Sequence, residues 1–172
     1  SQDPRMAVKG DGMKRKIYSA AAVLLLVCML CACSTGHNAK TPDIQTVADK
    51  VGATIDLSEM SQIPNAYVDS VMGIAPDGYV SRNTLISAVG TNINEYGIFL
   101  AKDAGQANTL KAALEKYLEY RESVWMDEYL PDEKPKLDNA EVWQQGNYVM
   151  YAILGDDARQ AAHAAFQSCF EG

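Results

Sequence analysis

Asn83-Thr84-Leu85-Ile86-Ser87-Ala88-Val89 and Glu95-Tyr96-Gly97-Ile98-Phe99-Leu100-Ala101 are two short runs rich in β-branched, aliphatic and aromatic residues, parted by the polar loop Gly90 to Asn94. Runs of this length bounded by turn residues predict two antiparallel strands. Asp103 follows at once, with Gln106 three residues on. That pairing lets two side chains satisfy the free N–H groups at a helix start. Ala107, Leu110, Leu114, Tyr117, Leu118 and Val124 then recur at helical spacing and predict one buried face.

The same plan returns downstream, beginning near Leu137. Ala140 to Gln145 predicts a strand, Gly146-Asn147 a two-residue turn with glycine first, and Tyr148 to Leu154 the returning strand. Asp157 and Gln160 predict another capping pair, and Ala162, Ala165, Phe166, Cys169 and Phe170 line the last helix. Two strand–strand–helix units imply an α+β domain: an antiparallel sheet built from both, with helices packed on one face. The two halves share layout rather than residues. In the second hairpin Tyr148 and Tyr151 point to opposite faces, so at least one belongs to the core.

Short helices precede this sheet. Thr41-Pro42-Asp43 reads as an N-cap, a proline at the first helical position and an acid in the first turn. Ile44, Val47, Ala48 and Val51 share one face, and Gly52 ends the helix. A second helix is expected from Pro64 to Met72, with Tyr67, Val68, Val71 and Met72 inward, Gly73 as its stop and a turn at Pro76-Asp77-Gly78. Residues 41–172 are read as a single α+β domain.

Further upstream the chain reads as an address. Met13-Lys14-Arg15-Lys16 is cationic, Ala20 to Leu30 is almost unbroken apolar sequence, and Leu30-Cys31-Ala32-Cys33 closes it. The apolar core from Ile17 to Ala32 is 16 residues, short of the roughly 18 to 20 that a bilayer span needs. Leucine three positions before Cys33 and alanine directly before it resemble the lipobox of bacterial lipoproteins. Residues 13–32 are therefore expected to be a lipoprotein signal peptide, Cys33 the lipidated cysteine and 33–40 a flexible tether. Acyl burial contributes about 0.8 kcal/mol per methylene, so two chains make a firm anchor. The expected location is the extracytoplasmic face of the bacterial cell membrane, with membrane lipid as partner through Cys33. Residues 1–12 read as vector-derived or upstream residue and are set aside.

Cysteine, histidine and charge exclude several classes. Cys28 and Cys31 match Cys-x-x-Cys, but they lie inside the apolar signal core; Cys169 reads as a small buried hydrophobe. His37 sits in the tether and His163 among alanines, where it reads as a surface or packing residue. No nucleophile elbow, His-x-x-x-His pair or calcium loop is present, so no catalytic residue, cofactor or metal is expected. From Cys33 onward there are ten basic and twenty acidic residues. That balance argues against nucleic acid.

Glu95-Tyr96-Gly97-Ile98, Arg121, Tyr129 with Pro131, and Gly146-Asn147-Tyr148-Val149 carry a resemblance through their order and spacing. From about Thr41 to Phe170 the chain resembles the family of small bacterial lipoproteins known as domain of unknown function 4358. The resemblance implies a tethered extracytoplasmic domain. It transfers no catalytic residue, because the family has no established activity.

Function is sought in the aromatic residues of the second half. Tyr117, Tyr120 and Arg121 fall three or four apart on one helix, and Trp125 and Tyr129 follow. Tyrosine, tryptophan and arginine dominate binding hot spots, so these five form the candidate partner-binding surface. Arg121 can instead pair with a nearby carboxylate or lie across an aromatic ring. The expected function is a non-enzymatic binding or accessory module of the cell envelope, with an unknown envelope protein or a cell-wall polymer as partner. One alternative is a small carboxylate-dependent cell-wall hydrolase drawing on Glu95, Asp127, Glu128, Asp132 or Glu133, most of which read as a charged loop. Another is a ligand-capturing accessory of a transporter. An exposed aromatic patch favours the module, and a deep pocket with two facing carboxylates favours the enzyme.

Overall fold

Central to the fold are two strands that are apolar at almost every position. The computed structural model describes residues 41–171. The expected signal peptide, Cys33, the tether and residues 1–12 lie outside the described residues. Strand β1 (Met60–Gln62), β2 (Ser81–Ser87), β3 (Glu95–Leu100), β4 (Glu141–Gln145) and β5 (Tyr148–Ile153) form one sheet in the order β1-β2-β3-β5-β4. Every neighbouring pair is antiparallel. The two expected hairpins are thus joined through β3 and β5, where Gly97 faces Tyr151.

The helices are α1 (Ile44–Gly52), α2 (Asn65–Ser70), α3 (Ala104–Ser123), α4 (Lys134–Asp138) and α5 (Asp156–Ser168), with a single 3₁₀ turn at Pro131–Glu133 before α4. The α+β class, the antiparallel sheet and the two strand–strand–helix units stand as expected. The placement of the helices differs from the expectation of one covered face. Val47, Val51, Ala162 and Phe166 of α1 and α5 pack on Tyr96, Ile98, Tyr148, Met150 and Ala152. Leu110, Leu114 and Tyr117 of α3 pack on Phe99, Val149, Tyr151 and Ile153 on the opposite side. The physical reason is legible in β5, which is buried at all six positions. A strand with no polar alternation must be covered on both faces. Tyr148 and Tyr151 consequently both lie in the core, one on each side.

Local chemistry sets the helix ends. Asp43, not Thr41, caps α1; its carboxylate accepts the Thr46 N–H at 3.0 Å and the Thr46 hydroxyl at 2.7 Å. Asp103 caps α3 by accepting the Gln106 N–H at 2.8 Å, while the Gln106 side chain reaches back to the Lys102 N–H at 2.9 Å. The five residues expected inward from Ala107 to Leu118 are buried. Val124 is not: it sits at the C-cap, beyond the last helical turn, and is 53% exposed. The Asp157–Gln160 capping pair does not form, since α5 starts from Gly155 without a side-chain cap. Asp156 instead accepts from Arg159 at 2.8 Å, and Arg159 also reaches Glu141 at 3.2 Å, tying α5 to β4. The β4–β5 turn needs Gly146, whose φ of +56° is open to glycine at no steric cost. Among the described residues no helix is long and apolar enough to cross a membrane.

Candidate functional site

Glu95 opens β3 with its side chain on the α3 side of the sheet, and none of it reaches solvent. An unmatched carboxylate there would be costly. Three donors converge on it. The hydroxyls of Tyr117, from α3, and Tyr151, from β5, each donate to Glu95 Oε1 at 2.7 Å. Arg121, one turn after Tyr117, pairs with Glu95 Oε2 through Nη1. The same nitrogen donates to the Tyr117 oxygen at 2.8 Å. Tyr117 gives its one proton to Glu95, so Tyr67 of α2, 3.0 Å away, is the donor in the Tyr67–Tyr117 contact. A hydrogen-bonded chain thus runs from half-buried Tyr67 through Tyr117 to Glu95.

Packing holds the geometry. The Tyr117 ring meets Tyr67 and Tyr151 edge-on, with centroids at 6.3 and 6.0 Å. The Arg121 guanidinium carbon lies 5.7 Å from the Tyr117 ring centre. Gly97 makes room for Tyr151: a Cβ at that position would stand 2.5 Å from Tyr151 Cε1 and 2.8 Å from Thr84 Cγ2. Burial and then the Glu95 charge raise Tyr117 far above the ordinary phenol range, and the same two causes act on Tyr151. Burial works against the charge on Arg121, but Glu95 and Tyr117 outweigh it and hold the guanidinium protonated. The cluster is a neutralised strut between helix and sheet.

The five residues of the expected binding surface separate accordingly. Tyr117 is core, 2% exposed, because it lies on the same face as Leu110 and Leu114. Arg121 both pairs with a carboxylate and lies over a ring. Trp125 packs half-buried against the α3-side core. Its Nε1 is buried and finds no partner among the described residues. Tyr120 and Tyr129 are exposed at 48% and 50%. Val124 and Met126, the latter 65% exposed, join them. Four large apolar side chains therefore face outward within ten residues, a density that a solvated end of a helix does not need.

This surface rests on a pinned loop. The Tyr129 hydroxyl donates to the Gly90 carbonyl at 2.9 Å, and its ring lies 6.4 Å from that of Trp125. Leu130, at φ +49°, takes the left-handed conformation directly before Pro131. Such a backbone costs a non-glycine residue about 1–2 kcal/mol. Beyond it Glu133 accepts the Ile93 N–H at 3.0 Å and Lys136 Nζ at 2.6 Å. Burial opposes the Glu133 charge, yet those donors win and lower its pKa. Beside the patch, a groove of 350 Å³ lies between the end of α2 and the outer side of α3, lined by Val71, Met72, Ala113, Lys116, Tyr117 and Tyr120.

The remaining candidates lie apart. Asp127, Glu128 and Asp132 are exposed, and neither they nor Glu133 share a hydrogen bond with the Glu95 cluster. His163 stacks on Trp143 with ring centres 4.3 Å apart and planes 12° from parallel, and burial lowers its pKa. Cys169 is half-buried and forms no disulfide among the described residues; its thiol donates to the Ala165 carbonyl at 3.3 Å, and burial raises its pKa. Among the described residues no group of three or more His, Cys, Asp or Glu is placed to hold a metal. Sequence reasoning missed the buried state of Glu95. Its signal was an acid heading an apolar strand, with a glycine two residues on.

No curated protein and no solved structure matches the chain. A family model does match over residues 53–154, a span that contains Glu95, Tyr117, Arg121, Tyr151 and the exposed loop. The chain belongs to the family described as Domain of unknown function (DUF4358).

Proposed function

We propose that this protein is a membrane-tethered extracytoplasmic lipoprotein that works as a non-enzymatic binding or accessory module of the cell envelope. The observation that carries the binding role is the outward set Tyr120, Val124, Met126 and Tyr129 at the end of α3. Exposed apolar side chains on a pinned, strained loop cost stability and are kept where a partner covers them. The strut beneath supports the same reading: Glu95, Arg121, Tyr117 and Tyr151 fix the end of α3 against the sheet. A hydrolase would want a second carboxylate facing Glu95 in a cleft, and Glu95 faces an arginine and two phenols instead. The tether is supported by the sequence from Met13 to Cys33.

The binding role is tested with a photo-crosslinking amino acid at position 120 or 129 of the full chain in intact cells. Discrete adducts should form at both, and none at Lys102, at the opposite end of α3. Adducts of equal yield at all three positions, or none at 120 and 129, would overturn it. In the same cells Cys33→Ala should stop palmitate labelling and leave the precursor mass; normal processing of that variant would refute the tether.

A further inference from the structure

We infer that the outer side of α3 receives an amphipathic helix carrying lysine or arginine beside its apolar stripe. The inference rests on the binding reading above and adds the chemistry of the partner. A hollow of 190 Å³ lined by Gly73, Ile74, Ala75, Thr109, Leu110 and Ala113 begins the track. Gly73, Thr109 and Ala113 also line the larger groove, so the two are continuous as far as Tyr120. Val124 lies one turn further on, followed by Met126 and Tyr129. From Thr109 to Val124 the path is about 22 Å long at 1.5 Å per residue, the length of a four-turn helix.

The walls decide the conformation of the occupant. They are α3 side chains and the segment that follows α2, Val71 to Gly78, and neither edge strand of the sheet lines the track. An extended peptide would bury unpaired peptide groups there, whereas a helix brings its own hydrogen bonds. Small residues at Gly73, Ala112 and Ala113 let that helix come close.

Charge decides the rest. Glu119, Glu122, Asp127, Glu128 and Asp132 are all exposed in the last turns of α3 and the loop after it, the stretch that also carries Tyr120 and Tyr129, and none is in an ion pair among the described residues. Lys116 is the one cation among the groove residues, and Lys134 nearby is engaged by Asp138. The chain as a whole carries a net charge of −7. A cationic rim on the partner would meet these carboxylates and speed its approach, while an anionic lipid surface would be repelled.

The test uses full-length protein and a fluorescein-labelled eighteen-residue helical peptide of leucine and lysine in amphipathic order, with a second peptide holding glutamate in place of lysine. The lysine peptide should bind at least tenfold more tightly. Ala112→Arg, which puts bulk and positive charge on an exposed helical position, should weaken it at least tenfold without moving the thermal midpoint. Equal binding of the two peptides, no binding of the lysine peptide, or indifference to Ala112→Arg would overturn the inference. Should crosslinking at position 120 still trap a partner in any of those cases, the binding role stands and only the partner chemistry fails. Absence of both signals sinks both.

Discussion

A carboxylate shut away from water beside two phenols survives as an anion only if something positive reaches it, and Arg121 is that residue. Its neighbour Tyr120 points the other way and touches solvent. The two positions should therefore answer differently to mutation. Arg121→Ala strands the Glu95 charge and is expected to cost about 3–5 kcal/mol, read as a lower urea midpoint. Tyr120→Ala is expected to change stability by no more than about 0.5 kcal/mol. Equal effects would mean that the ion pair contributes nothing or that Tyr120 is structural. At this scale the sequence offered Arg121 two roles, a surface contact or a paired one, and could not choose. Helical spacing puts Tyr117, Tyr120 and Arg121 near one another, but it does not say which of them lies over Glu95, brought in from a strand 26 residues before Arg121.

Elements meet here through glycine as much as through large side chains. Gly97 and Tyr151 are opposed across β3 and β5, and the ring of Tyr151 occupies the space that a methyl at Gly97 would need. Gly97→Ala should force the ring or the strands apart, at about 1–3 kcal/mol, and loosen the Tyr151–Glu95 hydrogen bond. Circular dichroism in the aromatic region together with a urea titration checks it; an unchanged midpoint would show that the strands yield freely. Hairpins, turn and helix periodicity were readable because each is a local pattern. β1 was not, since Met60–Gln62 is three residues with no apolar alternation, and it pairs only because β2 offers an edge. The division of helices between two faces was missed although the continuous apolar run in β5 carried the information. A count of helices does not tell which side each one takes.

Across the whole molecule, ionisation of the buried phenols is coupled to unfolding. Burial pushes Tyr96 and Tyr148 up to about 12, and burial with the Glu95 charge raises Tyr117 and Tyr151 well above the ordinary value of 10. A raised folded pKa stabilises the protein fully below the ordinary value of 10 and loses that stabilisation as pH climbs toward the folded value. The fold should thus hold to about pH 10 and fail above it. Absorbance of tyrosinate should show these four of the nine tyrosines ionising only in step with loss of structure. Smooth titration of all of them near pH 10 would mean that the interior is open to water. Glu133 acts at the other end: its lowered pKa gives stability above its ordinary value of 4.5 that fades as pH falls through the depressed one.

The pairing of β3 with β5 also sets a clock on biosynthesis. Glu95 leaves the ribosome 56 residues ahead of the Tyr151 that must bond it. At about 5–20 residues per second the first hairpin waits several seconds with its inner edge bare. During that interval the nascent chain is a half-built sheet open to any passing strand. A holdase that shields that edge during the wait should raise the yield of native protein.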